Sequence, residues 1–175
     1  MEFYLRDIDV TNEAEINLIV ERAMETVLET IPEFERSREI ALNTFSNFTF
    51  DQMKEMFKRD YDNPDHRTIV AVDKNANSVV GHAIFSLKVD SENQNFGFCY
   101  SRFVHPNARK NGIASAFLKE QEKWWRERNA SYILAQTHET NIKLQKLFLK
   151  HGFEKKGPIK GKVYSYYELR KKLTL

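Results

Sequence analysis

Arg109-Lys110-Asn111-Gly112-Ile113-Ala114 is the stretch of sequence that decides the fold. It joins a predicted strand, residues 96–104, to a predicted helix, residues 111–128. The first N–H groups of a helix have no partner within the helix, and the helix dipole makes this end positive. Gly112 has no Cβ, so an oxygen atom can approach the backbone closely. The stretch therefore predicts a site for a phosphate, although an ordinary basic turn could have the same short sequence.

Length and composition restrict the class of protein. The 175 residues predict a single domain, 1–175, that is large enough for a hydrophobic core. A net charge of +2 is too small to favour nucleic acid as the main partner. One cysteine, Cys99, excludes an internal disulfide and a cysteine zinc site. No apolar run reaches the ~18 residues of a membrane span, and no signal peptide is evident. We therefore expect a cytoplasmic protein without a nucleic-acid or membrane partner.

The N-terminal region predicts a strand followed by an amphipathic helix. The strand covers residues 2–7, and Asn12 and Glu15 have the spacing of a helix capping box. The residues that follow have the i, i+3, i+4 spacing of one apolar helix face: Ile16, Ile19, Val20, Ala23, Met24, Val27, Leu28 and Ile31.

A second, less regular helical region follows. Residues 33–47 are predicted to be part helix and part loop, and Thr49 and Gln52 form another capping box. The short helix that starts there ends before Asn63-Pro64. Its large apolar residues belong either to the core or to the wall of a substrate cleft: Phe50, Met53, Met56 and Phe57.

The rest of the chain alternates between strands and helices. The predicted strands cover residues 67–73, 78–89, 96–104, 132–136, 153–156 and 163–169. The predicted helices cover residues 111–128 and 141–150, and the second is stopped by Gly152. This order predicts a mixed α/β domain whose sheet is mostly antiparallel, with one βαβ unit at residues 96–136. It does not fit a doubly wound dinucleotide fold, because the loop lacks that fold's glycine spacing.

Three motifs in this order resemble the GCN5-related N-acetyltransferase (GNAT) superfamily. The first is Val104-His105-Pro106, which ends a strand just before the loop. The second is Arg109-Lys110-Asn111-Gly112-Ile113-Ala114, which is similar to the family's acetyl-CoA loop. The third is the segment 141–153, a helix that begins at an asparagine and ends in Gly-Phe. The resemblance implies the family's fold, a central sheet that splays apart between strands 4 and 5 and is flanked by helices.

The resemblance also implies an activity. It implies transfer of an acetyl or other acyl group from acetyl-CoA to a primary amine of a small molecule or peptide, by direct attack and without a metal. Coenzyme A would be the product. The residues implied to bind the cofactor are Phe103, Val104, Arg109, Lys110, Asn111, Gly112, Ile113, Ala114, Ser115, Asn141 and Phe148. Backbone amides of 109–115 would hold the pyrophosphate, and main-chain groups of Phe103 and Val104 would pair with the pantetheine arm.

The sequence departs from the family at Phe148. Many members have a tyrosine at this position that is thought to protonate the leaving thiolate, and phenylalanine has no proton to give. The acid is then either absent, which a thiol pKa near ~8.5 would tolerate, or another phenol: Tyr100, Tyr164, Tyr166 or Tyr167.

The general base is also not evident. Residues 98–102 contain no carboxylate, although some relatives have a glutamate on this strand. His138 and Glu139 follow the fifth predicted strand and are candidates, and the alternative is that both are exposed loop residues. His105 is the next candidate, whereas the remaining histidines are expected to be structural or exposed: His66, His82 and His151.

Several features permit two interpretations. The acceptor pocket is expected between the first two helices and the splay, where Glu25, Glu29, Glu33 and Glu35 either attract a cationic amine or form a solvated face. Cys99 is expected to be a small buried hydrophobic residue rather than a nucleophile. Residues 164–167 either pair with a second chain in a homodimer or form an internal strand. A sensor that binds acyl-CoA without turnover is the alternative to an enzyme.

Overall fold

The computed structural model describes residues 1–30, 50–161 and 165–174. The strands are β1 (Phe3–Asp7), β2 (His66–Asp73), β3 (Ser78–Val89), β4 (Asn95–Val104), β5 (Tyr132–His138), β6 (Glu154–Lys160) and β7 (Ser165–Lys172). The helices are α1 (Glu13–Thr30), α2 (Phe50–Tyr61), α3 (Ile113–Arg126) and α4 (Ile142–Lys150), with a 3-10 turn at Pro106–Ala108. The predicted mixed segment at 33–47 lies outside the described residues.

The strands form one seven-stranded sheet in the order β1-β2-β3-β4-β5-β7-β6. Every neighbouring pair is antiparallel except β4 and β5, which are parallel and are connected through α3. The predicted mostly antiparallel sheet with a single βαβ unit is therefore confirmed.

Pairing between β4 and β5 covers only four of the ten residues of β4. It joins Phe96–Cys99 to Tyr132–Ala135, whereas β4 continues to Val104 and β5 continues to His138. Beyond Cys99 each strand is held by its other neighbour alone, β4 by β3 and β5 by β7. The sheet consequently opens between β4 and β5, as the resemblance implied.

A β-bulge lies where this opening begins. Ile84 pairs with Ser101 and Phe85 pairs with Cys99, so Tyr100 is an extra residue in β4. A bulge bends its strand and increases the local twist, which directs the rest of β4 away from β5.

Each face of the sheet carries two helices and its own hydrophobic core. Successive strand residues point to opposite faces: Ile69 and Ala71 belong to the core under α3 and α4, and Val70 and Val72 belong to the core under α1 and α2. The first core is built around Phe85, Phe117, Leu118, Trp125, Ile133, Phe148 and Leu169, and the second around Ile16, Ile19, Val20, Met53 and Phe57.

Trp125 fixes α3 against the closed end of the β4–β5 pair. Its side chain is fully buried, and its indole N–H donates to the Ser86 carbonyl at 2.9 Å. A Cβ at Gly97 would lie 2.4 Å from the indole ring, so only glycine lets the ring rest on the strand. The indole of Trp125 and the absence of a side chain at Gly97 together set the distance between α3 and the sheet.

Several predicted boundaries are wrong by a few residues. α3 begins at Ile113 and ends at Arg126, inside the predicted 111–128. β5 runs to His138 rather than Gln136, because it pairs with β7 over its whole length. β6 and β7 are also longer than predicted. β7 lies between β5 and β6, so the described residues 165–167 form an internal strand rather than an edge for a second chain.

The first capping box is only half correct. The Asn12 side chain accepts from the Glu15 N–H at 3.2 Å, as the spacing predicts. The Glu15 carboxylate does not return to Asn12, because it accepts two hydrogen bonds from Arg6, at 2.7 and 2.6 Å, and one from the Asp9 N–H. Arg6 of β1 thus replaces the Asn12 N–H as the partner of the Glu15 carboxylate, and this ion pair connects α1 to β1.

Candidate active site

Gly112 leaves the start of α3 without a side-chain cap. It caps the helix with φ = 83°, a left-handed conformation, and no side-chain cap bond is made there. The first backbone bond runs from the Ala116 N–H to the Gly112 carbonyl at 2.9 Å, which leaves earlier N–H groups without a helical acceptor. A Cβ at Gly112 would meet nothing within 4 Å. Open space therefore lies beside Gly112 at the positive end of the helix.

The loop is shaped by its own side chains. The Asn111 side-chain amide donates to the carbonyls of Ala108 and Arg109, at 3.1 and 3.2 Å. The hydroxyl of Ser115 lies 2.9 Å from His151 Nε2, and the side chain of Ile113 is buried in the core. These residues can offer a ligand their main chain, whereas the exposed side chain of Lys110 is available to it directly.

The backbone of β4 faces the opening at Val104. The His105 N–H donates to the Val80 carbonyl on β3 at 2.8 Å. Since a trans peptide holds its C=O and N–H on opposite sides, the Val104 carbonyl points away from β3, towards β5. There it accepts from Arg109 Nε at 2.9 Å. The neighbouring Phe103 directs its buried ring to the α1 face, and its carbonyl points to Gly81 of β3, so Val104 rather than Phe103 offers main-chain groups to the opening.

A cleft of about 1610 Å³ connects this opening with the helices on the other face. It lies where the sequence places the acceptor pocket. Met53 and Phe57 are 6% exposed, so they serve both as core and as cleft wall. Other lining residues are Ala23, Thr26, Met56, Tyr100–Val104, Arg109, Lys110, Ala114, Gln136–His138 and Asn141.

Two predicted cofactor residues lie on α4. Asn141 is the N-cap, and its side-chain oxygen accepts from the Leu144 N–H at 3.2 Å. Phe148 is 1% exposed, with its ring edge-on to Phe153 at a centroid distance of 4.6 Å. Asn141 thus orders the start of α4, and Phe148 packs as a core residue beside the cleft.

His138 differs from the sequence interpretation. It is the last residue of β5 and is 4% exposed, so the alternative that it is an exposed loop residue is wrong. Its Nδ1 accepts from the Thr140 N–H at 3.2 Å and lies 2.7 Å from the Thr140 hydroxyl. The neutral ring must therefore carry its proton on Nε2. Glu139 is exposed, as that alternative expected.

His82 is a structural histidine, as the sequence suggested, but its burial is complete. It lies within β3 with Nε2 3.1 Å from the Ser101 hydroxyl. Its Nδ1 is buried without a hydrogen-bond partner among the described residues. Burial, followed by the charge of Arg22, lowers the pKa of His82 to about 3. The ring therefore stays neutral behind the β4 segment that borders the opening.

His105 and His151 also have structural contacts. His105 Nδ1 accepts from the Asn107 N–H at 3.3 Å and caps the 3-10 turn. His151 bonds to Ser115. Cys99 is half-buried, and burial raises the pKa of its thiol to about 11, which fits a hydrophobic residue and not a nucleophile.

His66 is the functional candidate that sequence reasoning missed. It lines the cleft, with Nδ1 3.7 Å from an Asp60 carboxylate oxygen. Its ring stacks on that of Tyr100, the bulge residue, at a centroid distance of 5.9 Å. A histidine beside a carboxylate can hold or move a proton. No local sequence signal could have found this set, because it joins α2, β2 and β4.

The described residues contain neither a membrane-spanning helix nor a cluster of metal ligands. None of the helices in residues 1–30, 50–161 and 165–174 is long and apolar enough to cross a membrane. In the same part of the chain, no three His, Cys, Asp or Glu side chains are grouped so that they could hold a metal ion.

Comparison with protein families decides the relationship. Residues 28–153 match the model of the acetyltransferase (GNAT) family. The chain belongs to this family. The match includes α2, the opening between β4 and β5, the loop at Gly112 and α4. No curated protein matches the sequence.

Solved GNAT structures share the fold over nearly the whole chain. A chain of the NatC complex bound to Gag peptide and CoA is 15% identical, with a TM-score of 0.75, over 99% of this chain and 100% of its own. The PaiA N-acetyltransferase of Thermoplasma acidophilum, in complex with coenzyme A, is 17% identical, with a TM-score of 0.73, over 99% and 100%. The phosphinothricin acetyltransferase of Sinorhizobium meliloti, in complex with AcCoA, is 20% identical, with a TM-score of 0.72, over 99% and 89%. These similarities confirm the GNAT fold.

The neutral state of His82 predicts a pH-dependent stability. Between pH 6.5 and about 3 the unfolded chain binds a proton at His82 that the folded chain does not bind. The free energy of unfolding should therefore fall as the pH is lowered below 6.5, by up to about 1.4 kcal/mol per pH unit from this residue. Urea unfolding of wild type and His82→Gln, from about pH 7.5 to 5, measures it. The advantage of the wild type should shrink with falling pH, and a constant difference would contradict the assignment.

Proposed function

We propose that the chain is an N-acetyltransferase that transfers an acetyl group from acetyl-CoA to a primary amine of a small molecule or peptide by direct attack. The observation that carries the proposal is the end of β4–β5 pairing at Cys99 and Ala135, next to a helix start with open space at Gly112. When bound, acetyl-CoA supplies the activated acyl group. The chain's own residues bind it, align the amine and handle the proton.

The start of α3 fits a pyrophosphate. The N–H groups of Ile113, Ala114 and Ser115 precede the first helical hydrogen bond and are available for phosphate oxygens. No acidic residue stands in the first turn of α3. Arg109 and Lys110 line the cleft and add positive charge. This is the role that the sequence predicted for residues 109–115, and it stays part of the proposal.

The edge of β4 fits an extended polar arm. The main-chain groups of Val104 that face β5 have no strand partner there among the described residues. They would pair with amide groups of the pantetheine arm, once Arg109 Nε shares or leaves the Val104 carbonyl. An N–H group at this edge would also stabilise the oxyanion that develops as the amine attacks. Because the pairing of β4 with β3 holds this donor in place, it needs no reorganisation during the reaction.

We propose His66 as the group that accepts the amine's proton, directly or through water. An alkyl amine with a pKa near ~10.4 is neutral in only about one molecule in a thousand at pH ~7.4, so proton removal is required. His66 lines the helix side of the cleft, and Asp60 lies where it can orient the ring. His138 is less suitable, because Thr140 occupies its Nδ1 and leaves a protonated Nε2. Glu139 and His138 stay sequence predictions for this role.

The second candidate function is an acyl-CoA sensor. Phe148 has no proton for the leaving group, and residues 98–102 of β4 offer no carboxylate. Both features permit coenzyme binding without turnover. Proteins that share one fold can act on different acceptors, so the fold alone leaves a small amine and a peptide equally open.

A cytoplasmic location, a homodimer and the absence of nucleic-acid and membrane partners stay sequence predictions.

Thiol release and calorimetry together test the proposed function. The wild type should bind acetyl-CoA and release thiol with at least one pool of amines: polyamines, amino acids, aminoglycosides or short peptides. Gly112→Asp should weaken acetyl-CoA binding by about 10- to 100-fold, because its carboxylate enters the anion site. Gly152→Asp is the matched control, since Gly152 has φ = 80° and its Cβ would meet only Lys171, at 3.9 Å.

The outcomes separate the candidates. Equal loss of binding in both glycine variants would contradict the anion site, because it would reflect backbone strain alone. Binding without thiol release from any pool would favour the sensor. A wild type that neither binds acetyl-CoA nor releases thiol would refute both candidates.

The base proposal has its own test. His66→Gln should lower kcat by about 100-fold and leave the KM for acetyl-CoA unchanged, because His66 lies on the acceptor side. His138→Gln, which keeps a polar group near Thr140, should have a much smaller effect. Steady-state kinetics with the best amine measures both variants, and the reverse order of effects would assign the base to His138.

A further inference from the structure

Arg102 is a cation in the part of β4 that has no partner on its β5 side. It lies beyond Cys99, the last β4 residue paired with β5, and it lines the cleft. Its side chain reaches α3 and α4. Nη2 donates to the side-chain oxygen of Gln121, and the guanidinium lies over the Phe148 ring, 5.0 Å from its centroid. Arg102 thus holds a buried positive charge between the unpaired part of β4 and the helices α3 and α4, at the wall of the cleft.

Several donors at this point have no acceptor. Nε and Nη1 of Arg102 and Nε2 of Gln121 are buried without a hydrogen-bond partner among the described residues. Leaving buried donors unpaired costs free energy, and an unpaired buried charge costs more. Such a group is retained where a ligand can pair with it. The three N–H-bearing atoms together are complementary to an anion.

The surrounding charges do not neutralise Arg102. No acidic side chain in the described part of the chain forms an ion pair with it. Glu122 is close enough to affect the Cys99 thiol, but its carboxylate is bonded to Lys171 at 2.7 Å. Burial lowers the pKa of Arg102, and the Cys99 thiol opposes this shift through its charge and a hydrogen bond with the guanidinium. No carboxylate among the described residues pairs with these donors, so an anion supplied by a ligand would complement them.

The reaction itself produces an anion inside the opening. This step rests on the proposed function. The pyrophosphate is assigned to the start of α3, at Gly112, and the acetyl group is neutral. When the amine nitrogen bonds to the acyl carbon, the carbon–sulfur bond breaks and its electron pair stays on sulfur. The ammonium proton passes to His66 or to water. Negative charge thus develops on the sulfur, in the channel that Arg102 lines.

We propose that Arg102 is a further catalytic residue, which binds the leaving thiolate through its free N–H groups. Gln121 holds the guanidinium in place and adds a donor. Phe148 supports its face, and its ring has no proton to offer the sulfur. The charge of Arg102 thus replaces proton donation: the sulfur leaves as a thiolate and is protonated later by solvent. A charge-assisted hydrogen bond of this kind corresponds to about 10- to 100-fold in binding or rate.

Binding of the product tests this assignment without turnover. Calorimetry would compare coenzyme A with desulfo-coenzyme A, which lacks the thiol, from about pH 7 to 9.5. A free thiol ionises near pH ~8.5, and the preference of the wild type for coenzyme A over the desulfo analogue should rise by about 10- to 100-fold as the thiolate forms. In Arg102→Met the preference should stay nearly constant with pH. Arg102→Gln, also neutral and able to contact Gln121, replaces Met if that variant does not fold.

Arg22→Met is the matched control. Arg22 is a half-buried arginine over a phenylalanine ring, Phe103 at 5.2 Å, on the opposite face of the same strand. The Arg22→Met variant should keep the pH-dependent preference for coenzyme A over desulfo-coenzyme A. A rise that persists in both Arg102 variants, or an equal loss for coenzyme A and its desulfo analogue, would overturn the assignment. The assignment would also be overturned if the wild type preferred an acyl donor that carries a carboxylate, and Arg102→Met lost this preference but kept the preference for coenzyme A over its desulfo analogue. If wild type bound neither coenzyme, the proposed function itself would fail.

Discussion

The backbone hydrogen bonds that β4 and β5 do not make are the constraint on which the rest of the structure depends. Pairing ends at Cys99 and Ala135, yet both strands continue because each is held by its outer neighbour. Backbone N–H and C=O groups need partners when they are removed from water. An extended ligand with amide groups of its own can supply them. The opening is therefore suited to the main-chain binding site that we propose, which explains why so few side chains identify it.

Helix α3 connects the opening to the rest of the molecule. Trp125 packs on Gly97 at the closed end of the strand pair, and Gly112 places free N–H groups at the other end of the same helix. Gln121, between them, contacts Arg102. One helix thus positions the proposed anion site and supports the buried cation. An error in its packing would affect both, so the precise fit of a large ring against a glycine is a requirement of function as well as of stability.

The sequence predicted what local patterns determine. The order of strands and helices along the chain follows from periodicity and turn residues, and the family and its splayed sheet follow from three short motifs. It failed where a partner distant in the chain decides the outcome. β5 extends to His138 because β7 pairs with it, and Glu15 leaves its predicted cap because Arg6 competes for it. The His66–Asp60 pair and the unpaired donors of Arg102 arise only when separate elements meet, so neither has a sequence signature.

The central claim is that the opening between β4 and β5 holds the coenzyme through backbone amides. Backbone amide NMR during a titration with coenzyme A tests it most directly. The account predicts that the amide signals of Val104, Ile113 and Ala114 shift and become protected from hydrogen exchange, while Gly97, at the closed end, stays unchanged. Saturable binding that leaves all three of these amides unaffected and perturbs another surface would contradict it.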